Sequence, residues 1–324
     1  MSTRNVPVST DRDNDRTETQ PPKVGIVVLN WDRLDETLKC LDSVCNIEYP
    51  NLEVMLVDNH SRENPTAAVE KEFPEIKIIR NEANLGYAGG NNVGIREGLR
   101  TGCDYVILLN NDAFPEPDMV AEMVRKATSD DRIAAVGGKV LWTERPNTLW
   151  AVYAWETFNA NIVTVEGLID EDRGQYEKCR DVHVVVGCAL MLRREALEDV
   201  GLLDETFFAY HEDLDWCRRA RDKGYRVVYV PTAVLYHRGS ASTGGGPDSP
   251  IMYFGGRNSV LYAKKHATAS QWLKFLLFLC YDLIRSSIRS LVRRKPRGVL
   301  LKMRGVVDGF LGREPPLAKL GLDS

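Results

Sequence analysis

"YVILLNNDAFPEPD" (residues 105–118) opens with five uninterrupted apolar residues and then turns abruptly polar at Asn110-Asn111-Asp112. An apolar run of this length without polar alternation fits a strand buried on both faces. The same design recurs outward along the chain. "KVGIVVLN" ends at Asn30, "LEVMLVD" at Asp58 and "IKIIRN" at Asn81. Between the first two, "RLDETLKCLDSVCN" sets Leu34, Leu38, Leu41 and Val44 or Cys45 at helical spacing, and a further helix runs through "NNVGIREGLRTG". Buried strands alternating with helices predict an α/β fold with a mixed, mostly parallel central sheet flanked by helices.

Bulk properties narrow the function. The chain has 324 residues, 44% hydrophobic and 27% charged, with a formal net charge of −4, which gives no basis for nucleic-acid binding. The charge is uneven: thirteen Lys and Arg lie between Arg257 and Arg313 against the acids Asp282 and Asp308. Seven scattered cysteines without a Cys-x-x-Cys pair argue against a zinc site or a disulfide framework and for a reducing cytoplasm. Residues 1–22, "MSTRNVPVSTDRDNDRTETQPP", lack an apolar core segment and read as a disordered leader rather than an export signal.

In open α/β sheets, ligands bind beyond the carboxyl ends of the strands. Asn30, Asp58, residues 81–84 and residues 110–112 fall at four such ends. Each alone is an ordinary turn former or helix cap; together they predict one crevice. The linker "NEANLGYAGGNNVGI" supplies Gly86, Gly89, Gly90 and Gly94, through which backbone can approach a ligand. It matches neither the dinucleotide fingerprint nor the P-loop. A carboxylate at Asp112 suits a divalent cation holding a diphosphate, since hard cations take oxygen ligands.

Further on, residues 182–192 read as one strand, followed by a helix from Arg193 and an aromatic turn, "FFAYHED". Glu212 and Asp213 then begin a helix that turns Leu214, Cys217 and Ala220 inward and ends at Gly224. Acidic residues favour a first helical turn on electrostatic grounds alone. Beside Phe207, Phe208 and Tyr210, however, two carboxyls sit where burial can tune a general base.

With these segments in order, the chain resembles a family 2 glycosyltransferase of the nucleotide-sugar-dependent GT-A type, rhamnosyltransferase-like branch, from about residue 23 to 313. "VVLNWDRLDETLKCLDSV", "VMLVDNHS", "NEANLGYAGGNNVGI", "VILLNNDAFPEPD", "GCALMLRREALEDVGLLDETFFAYHEDLDWCRRARDKGYRVVYVP", "LYHRGSAS" and "GGRNSVLYAKKH" carry the resemblance. It implies that Asn30, Asp58 and Asn84 hold the base and ribose of a nucleotide-diphosphate sugar, with Gly86, Asn92 and Asn110 also in the donor site. Asn110-Asn111-Asp112 falls at the Asp-x-Asp motif of the family, so Asp112 would bind Mg or Mn, completed by His237. Asn110 replaces the first acid and removes one charged ligand. Asp213 would be the base of an inverting transfer and Glu212 its support, Asp215 being structural. The donor is first read as dTDP-rhamnose, with UDP-galactofuranose, UDP-hexoses and GDP-sugars open, and the acceptor as a glycan or polyprenyl-linked hydroxyl in cell-surface polysaccharide synthesis.

A nucleotidylyltransferase would place a Gly-rich, Arg-containing loop where this chain has "NWDRLDE", and a non-catalytic sugar-nucleotide binder draws support only from Asn110. Residues 142–183 are expected to form the acceptor-side loop, Trp150 and Trp155 being candidate sugar platforms. The expected organisation is a leader at 1–22, a glycosyltransferase domain at 23–256 and a basic amphipathic helical region at 257–324. There, Leu273, Leu277, Cys280, Ile284, Ile288 and Leu291 share a helical stripe, with Lys274, Asp282, Arg285, Arg289 and Arg293 opposite. The apolar run 275–281 is far below the roughly 20 residues that span a bilayer. Residues 270–297 therefore read as an interfacial segment, peripheral on the cytoplasmic face of the plasma membrane, or else as a helix packed on the domain.

Overall fold

The computed structural model describes residues 20–158, 161–239, 248–294 and 296–323; most of the expected leader and residues 240–242 of "LYHRGSAS" lie outside them. In chain order the elements are β1 (Val24–Asn30), α1 (Leu34–Cys45), β2 (Leu52–Asp58), α2 (Thr66–Glu72), β3 (Lys77–Arg80), α3 (Gly86–Arg100), β4 (Tyr105–Asn110), β5 (Ala113–Pro115), α4 (Met119–Ala127), β6 (Ile133–Trp142), β7 (Arg145–Ala151), β8 (Tyr153–Glu156) and β9 (Val163–Glu166). They continue with β10 (Arg180–Asp181), β11 (Val184–Val185), β12 (Ala189–Arg193), α5 (Arg194–Val200), α6 (Glu212–Asp222), β13 (Arg226–His237), α7 (Ile251–His266), α8 (Ala269–Arg293), α9 (Arg297–Leu311) and α10 (Leu317–Leu320).

The main sheet runs β10-β13-β6-β12-β4-β1-β2-β3. β1 is parallel to β2 and β4, β2 to β3, and β13 to β6, while β12 is antiparallel to both β4 and β6. It is the mixed, mostly parallel sheet that the sequence predicts. Successive side chains of β4 feed two cores: Val106 and Leu108 pack on one face with Ile95 of α3, and Tyr105, Ile107 and Leu109 on the other with Leu41 of α1 and Met123 of α4. Both faces are buried, hence the missing polar alternation.

Several local readings change. The strand expected over 182–192 breaks: β11 ends at Val185 and β12 starts at Ala189, leaving Val186, Gly187 and Cys188 between them. β11 joins a small antiparallel sheet, β11-β8-β9, instead. Gly90 and Gly94 serve packing rather than ligand approach, because a β-carbon there would fall 2.5 Å from Leu29 and 2.3 Å from Val27, so their absence seats α3 against β1.

The boundary expected at 256/257 falls inside α7. α9 presses on α7 so closely that a β-carbon at Gly305 would stand 2.1 Å from the Tyr253 carbonyl oxygen. On α8 it is Phe275 and Leu279 that are buried, whereas Leu273, Leu277, Tyr281, Ile284, Ile288 and Leu291 are each more than half exposed. Asp282, expected on the polar side, turns inward and pairs with Lys302 of α9. No described helix is long and apolar enough to cross a membrane.

Candidate active site

The carboxyl ends of β1, β2 and β4 meet in a buried polar network. Asn30 Nδ2 donates to Asp58 Oδ1 (2.9 Å) and Ser61 Oγ (3.0 Å), Thr37 Oγ1 donates to Asn30 Oδ1 (2.8 Å), and Asn111 Nδ2 to Thr37 Oγ1 (2.9 Å). Arg80 Nη1 lies 3.0 Å from Asp58 Oδ2, so this fully buried carboxylate has a charge partner. Buried polar groups need such partners, and here they lock three strand ends together. Asn30 and Asp58 thus stand behind the main cavity. Asn30 lines a second one, of about 330 Å³, with Asp32, Arg33, Ser61 and Arg62.

The main cavity, about 290 Å³, collects residues from across the chain. Asn59, Asn84 and Gly86 form one wall: Asn59 Nδ2 donates to Asn84 Oδ1 (2.8 Å) and to the Gly86 carbonyl (3.0 Å). Asn84 Nδ2 in turn donates to the Leu322 carbonyl (2.9 Å), and Leu322 also lines the cavity. Asn110, Asp112 and His237 form a second wall. β13 pairs with β5 so that His237 stands opposite Ala113, which sets His237 Nε2 3.0 Å from Asp112 Oδ1 and 3.3 Å from Asn110 Nδ2. The Trp150 ring meets the His237 ring edge-on at 4.7 Å. Asn110 Oδ1 and His237 Nδ1 are buried with no hydrogen-bond partner among the described residues. No three His, Cys, Asp or Glu side chains gather as a metal cluster among those residues, so Asp112 and His237 stand as a pair.

The third wall is the start of α6, where Glu212 and Asp213 face the cavity. The chain reaches it through three non-glycine residues at positive φ, Phe208 (62°), Tyr210 (67°) and His211 (78°). Such conformations cost about 1–3 kcal/mol each and persist only when neighbours impose them. Gly86, itself at φ +71°, is one such neighbour, since a β-carbon there would fall 2.4 Å from the Phe208 carbonyl oxygen. That oxygen accepts from Ala88 N at 3.1 Å.

Burial raises the proton affinity of Glu212 well above the ordinary carboxylate value, and Asp213 beside it adds to the effect. Glu212 Oε2 has no hydrogen-bond partner among the described residues. Asp213 is also raised by burial, but backbone N–H groups of Leu214, Asp213 and Gly187 oppose the shift. Adjacent, poorly solvated carboxyls resist double ionisation, so the pair favours holding a proton. Burial, with Glu212 and Asp213, holds nearby Tyr87 as a neutral phenol, and its hydroxyl donates to the Gly187 carbonyl at 2.8 Å. Burial alone would raise Asp215, yet His266, Lys265 and Arg219 hold it down at about 2; it ties α6 to α7.

Of the residues singled out from sequence, Asn84, Gly86, Asn110, Asp112, Glu212, Asp213 and His237 share this cavity. Asn92 does not: its Nδ2 donates to the Leu203 carbonyl (2.9 Å) and to Glu205 Oε1 (2.8 Å), and its Oδ1 accepts from Leu203 N, so its amide braces α3 against the segment before α6. Trp150 reaches the cavity, whereas Trp155 packs edge-on against Tyr153 and His183. Trp31, Asn59, Tyr87, Gly187 and Leu322 line the cavity without having been singled out. Trp31, Asn59, Tyr87 and Gly187 carried a signal, each lying in a quoted segment, the first three beside Asn30, Asp58 and Gly86, whereas Leu322 carried none.

The model of the family "Glycosyl transferase family 2" matches residues 25–201. The chain is 27% identical over 278 residues to the N-acetylglucosaminyl-diphospho-decaprenol L-rhamnosyltransferase of Mycobacterium tuberculosis, covering 75% of this chain and 87% of that one. It is 29% identical over 228 residues to the O-antigen biosynthesis protein RfbC of Myxococcus xanthus, covering 68% of this chain but only 18% of that longer protein. Among solved structures, the mannosyltransferase PcManGT from Pyrobaculum calidifontis, determined with GDP-Man and Mn2+, superposes with a TM-score of 0.57 at 15% identity over 91% of this chain and 89% of that one, a likeness of fold.

Proposed function

The chain belongs to glycosyl transferase family 2 and is a glycosyltransferase; from that premise we propose that it moves rhamnose from dTDP-rhamnose, with inversion, to a hydroxyl of a glycan or polyprenyl-linked acceptor in cell-surface polysaccharide synthesis. One observation carries the reading: a single cavity holds the Asp213 carboxylate, beside the buried Glu212, and the Asn110, Asp112 and His237 cluster. A base for the acceptor and a seat for the leaving diphosphate are the two things such a transfer needs. The decaprenol-linked rhamnosyltransferase relative supports the choice of sugar and of lipid-linked acceptor.

In this reading the donor diphosphate lies along Asn110, Asp112 and His237, with its nucleoside towards Asn84 and Gly86 and the ends of β1 and β2. The orphaned Asn110 Oδ1, the Asp112 carboxylate and the His237 imidazole are oxygen and nitrogen donors of the kind that would hold Mg or Mn beside a diphosphate. A metal held there supplies Lewis-acid neutralisation of charge on the diphosphate. Asp213 accepts the proton of the acceptor hydroxyl as its oxygen bonds to the anomeric carbon and the bond to the diphosphate breaks, its electron pair leaving with the phosphate. Glu212, whose burial favours the neutral acid, lies beside Asp213 to orient the acceptor hydroxyl. Trp150 and Trp31 offer aromatic faces to sugar and base.

The exposed stripe of α8, with Lys274, Arg285 and Arg289 also exposed on that helix, lies on the cytoplasmic surface of an anionic membrane and brings the cavity to a lipid-linked acceptor. The test is nucleotide release from a panel of dTDP-, UDP- and GDP-sugars with membrane extract as acceptor, with and without EDTA, for the wild type and Asp213→Asn. Release from dTDP-rhamnose that is lost with EDTA and falls roughly 10²–10⁴-fold in Asp213→Asn is the expected result. Turnover of a UDP- or GDP-sugar alone overturns the donor, EDTA resistance the metal, and full activity in Asp213→Asn the base.

A further inference from the structure

"GGRNSVLYAKKH" contributes no side chain to the cavity lining, yet its Asn258 is fully buried directly behind it. Asn258 Nδ2 lies 2.8 Å from the Phe207 carbonyl oxygen, 2.7 Å from that of Ala209 and 2.8 Å from that of Tyr210. Two amide hydrogens are thus shared among three carbonyls of one turn. Its Oδ1 accepts from Arg257 Nη1 at 3.1 Å, and the same Nη1 donates to the Thr206 carbonyl at 2.7 Å. Two consecutive residues of α7 therefore grip four carbonyls between Thr206 and Tyr210, the stretch that contains Phe208 and Tyr210 at positive φ.

We infer that Asn258 is a positioning residue for the transfer: it pins the strained turn at 207–211 and thereby fixes where α6 begins and where Asp213 and Glu212 point. This rests on the assignment of Asp213 as the base. His211, the residue before α6, makes no side-chain capping bond to it, and the backbone bonds inside the turn, Phe208 N to Glu205 O and Ala209 N to Phe207 O, do not use the carbonyls of Ala209 and Tyr210, both of which Asn258 reaches. Asp215, two residues after Asp213, separately fastens α6 to α7, so losing Asn258 frees the turn and the residues that open α6 and not the whole helix.

Asn258→Asp keeps the size of the side chain and removes its donors; Asn258→Ser retains one donor and protects the experiment against a variant that does not fold. For each, kcat and its pH profile are measured with the donor panel, together with dTDP and UDP affinity and thermal unfolding. The expected result is a fall in kcat of roughly 100-fold for Asn258→Asp and a smaller one for Asn258→Ser, as for a reacting group displaced by about 1 Å. The acid limb of the profile moves to lower pH as Asp213 gains water, and nucleotide affinity stays within about threefold. A purely structural residue would lower the unfolding temperature while leaving kcat per folded molecule and the acid limb unchanged, and that result overturns the inference. Asp213→Asn in parallel separates the two assignments. Full activity there sinks the base alone, whereas wild-type kinetics in Asn258→Asp sink the positioning role alone.

Discussion

Gly187→Ala tests the geometry around Asp213 without touching a titratable group. Gly187 lies in the break between β11 and β12, and a β-carbon built on it would stand 2.7 Å from Asp213 Oδ2. Its φ lies outside the left-handed region, so alanine brings no backbone strain, and the nearest atom is the end of a side chain rather than backbone. Ordinary contact begins at 3.4 Å, so the carboxylate must retreat by roughly 0.7 Å. A displacement of about 1 Å at a reacting group costs on the order of 100-fold, which sets the expected fall in kcat at roughly 10- to 100-fold. Stability should change by about 1 kcal/mol or less, because overpacking is relieved by moving one side chain. The assay is steady-state nucleotide release with thermal unfolding and dTDP affinity as controls, repeated in the Asp213→Asn background. If the methyl acts through Asp213, its effect disappears there, the signature of a coupled pair. A Gly187→Ala enzyme with kcat within about threefold of wild type, or one equally impaired with and without Asp213, would refute the reasoning.

Glu212→Gln should stabilise the protein more at pH 8 than at pH 5. Burial and Asp213 raise the proton affinity of Glu212 in the folded chain, so above about pH 4.3, the unfolded value, the native state keeps a proton that the unfolded chain has lost, and stability falls as pH rises towards the folded value. Unfolding temperatures measured across that range check it, and a gain independent of pH would show that Glu212 carries no such burden. Leu277→Glu with Ile284→Glu, both exposed on α8, should leave the unfolding temperature unchanged but cut co-flotation with anionic vesicles by roughly 10-fold or more, whereas undiminished flotation would place the lipid contact elsewhere.

The strand ends were legible because burial on both faces erases alternation, so each run stops visibly where polar residues begin, as at Asn30, Asp58 and Asn110. Sequence did not tell which of these face ligand and which face one another. Asn30 and Asp58 complete each other's hydrogen bonds, and Asn92 looks like its neighbours in a Gly- and Asn-rich run until Leu203, 111 residues on, arrives beside it. The glycines were ambiguous for the same reason, since Gly86 meets the strained turn whereas Gly90 and Gly94 meet β1. On α8 the apolar stripe was correctly spaced, but spacing cannot say which stripe is covered. Phe275 and Leu279 take the buried side and leave Leu277 and Ile284 outside. Asn258 lay within "GGRNSVLYAKKH" but its role was not legible there, because that role is written in carbonyl oxygens, which every residue has.

The bond from Asn84 to the Leu322 carbonyl joins residues 238 positions apart. At synthesis rates of about 5–20 residues per second, Asn84 and Asp112 are made roughly 10–50 s before that partner. During that interval Asp213, His237 and Asn258 are added in turn, and the Leu322 carbonyl reaches Asn84 last, so the cavity wall at Asn84 closes only after every other residue of the lining has been made.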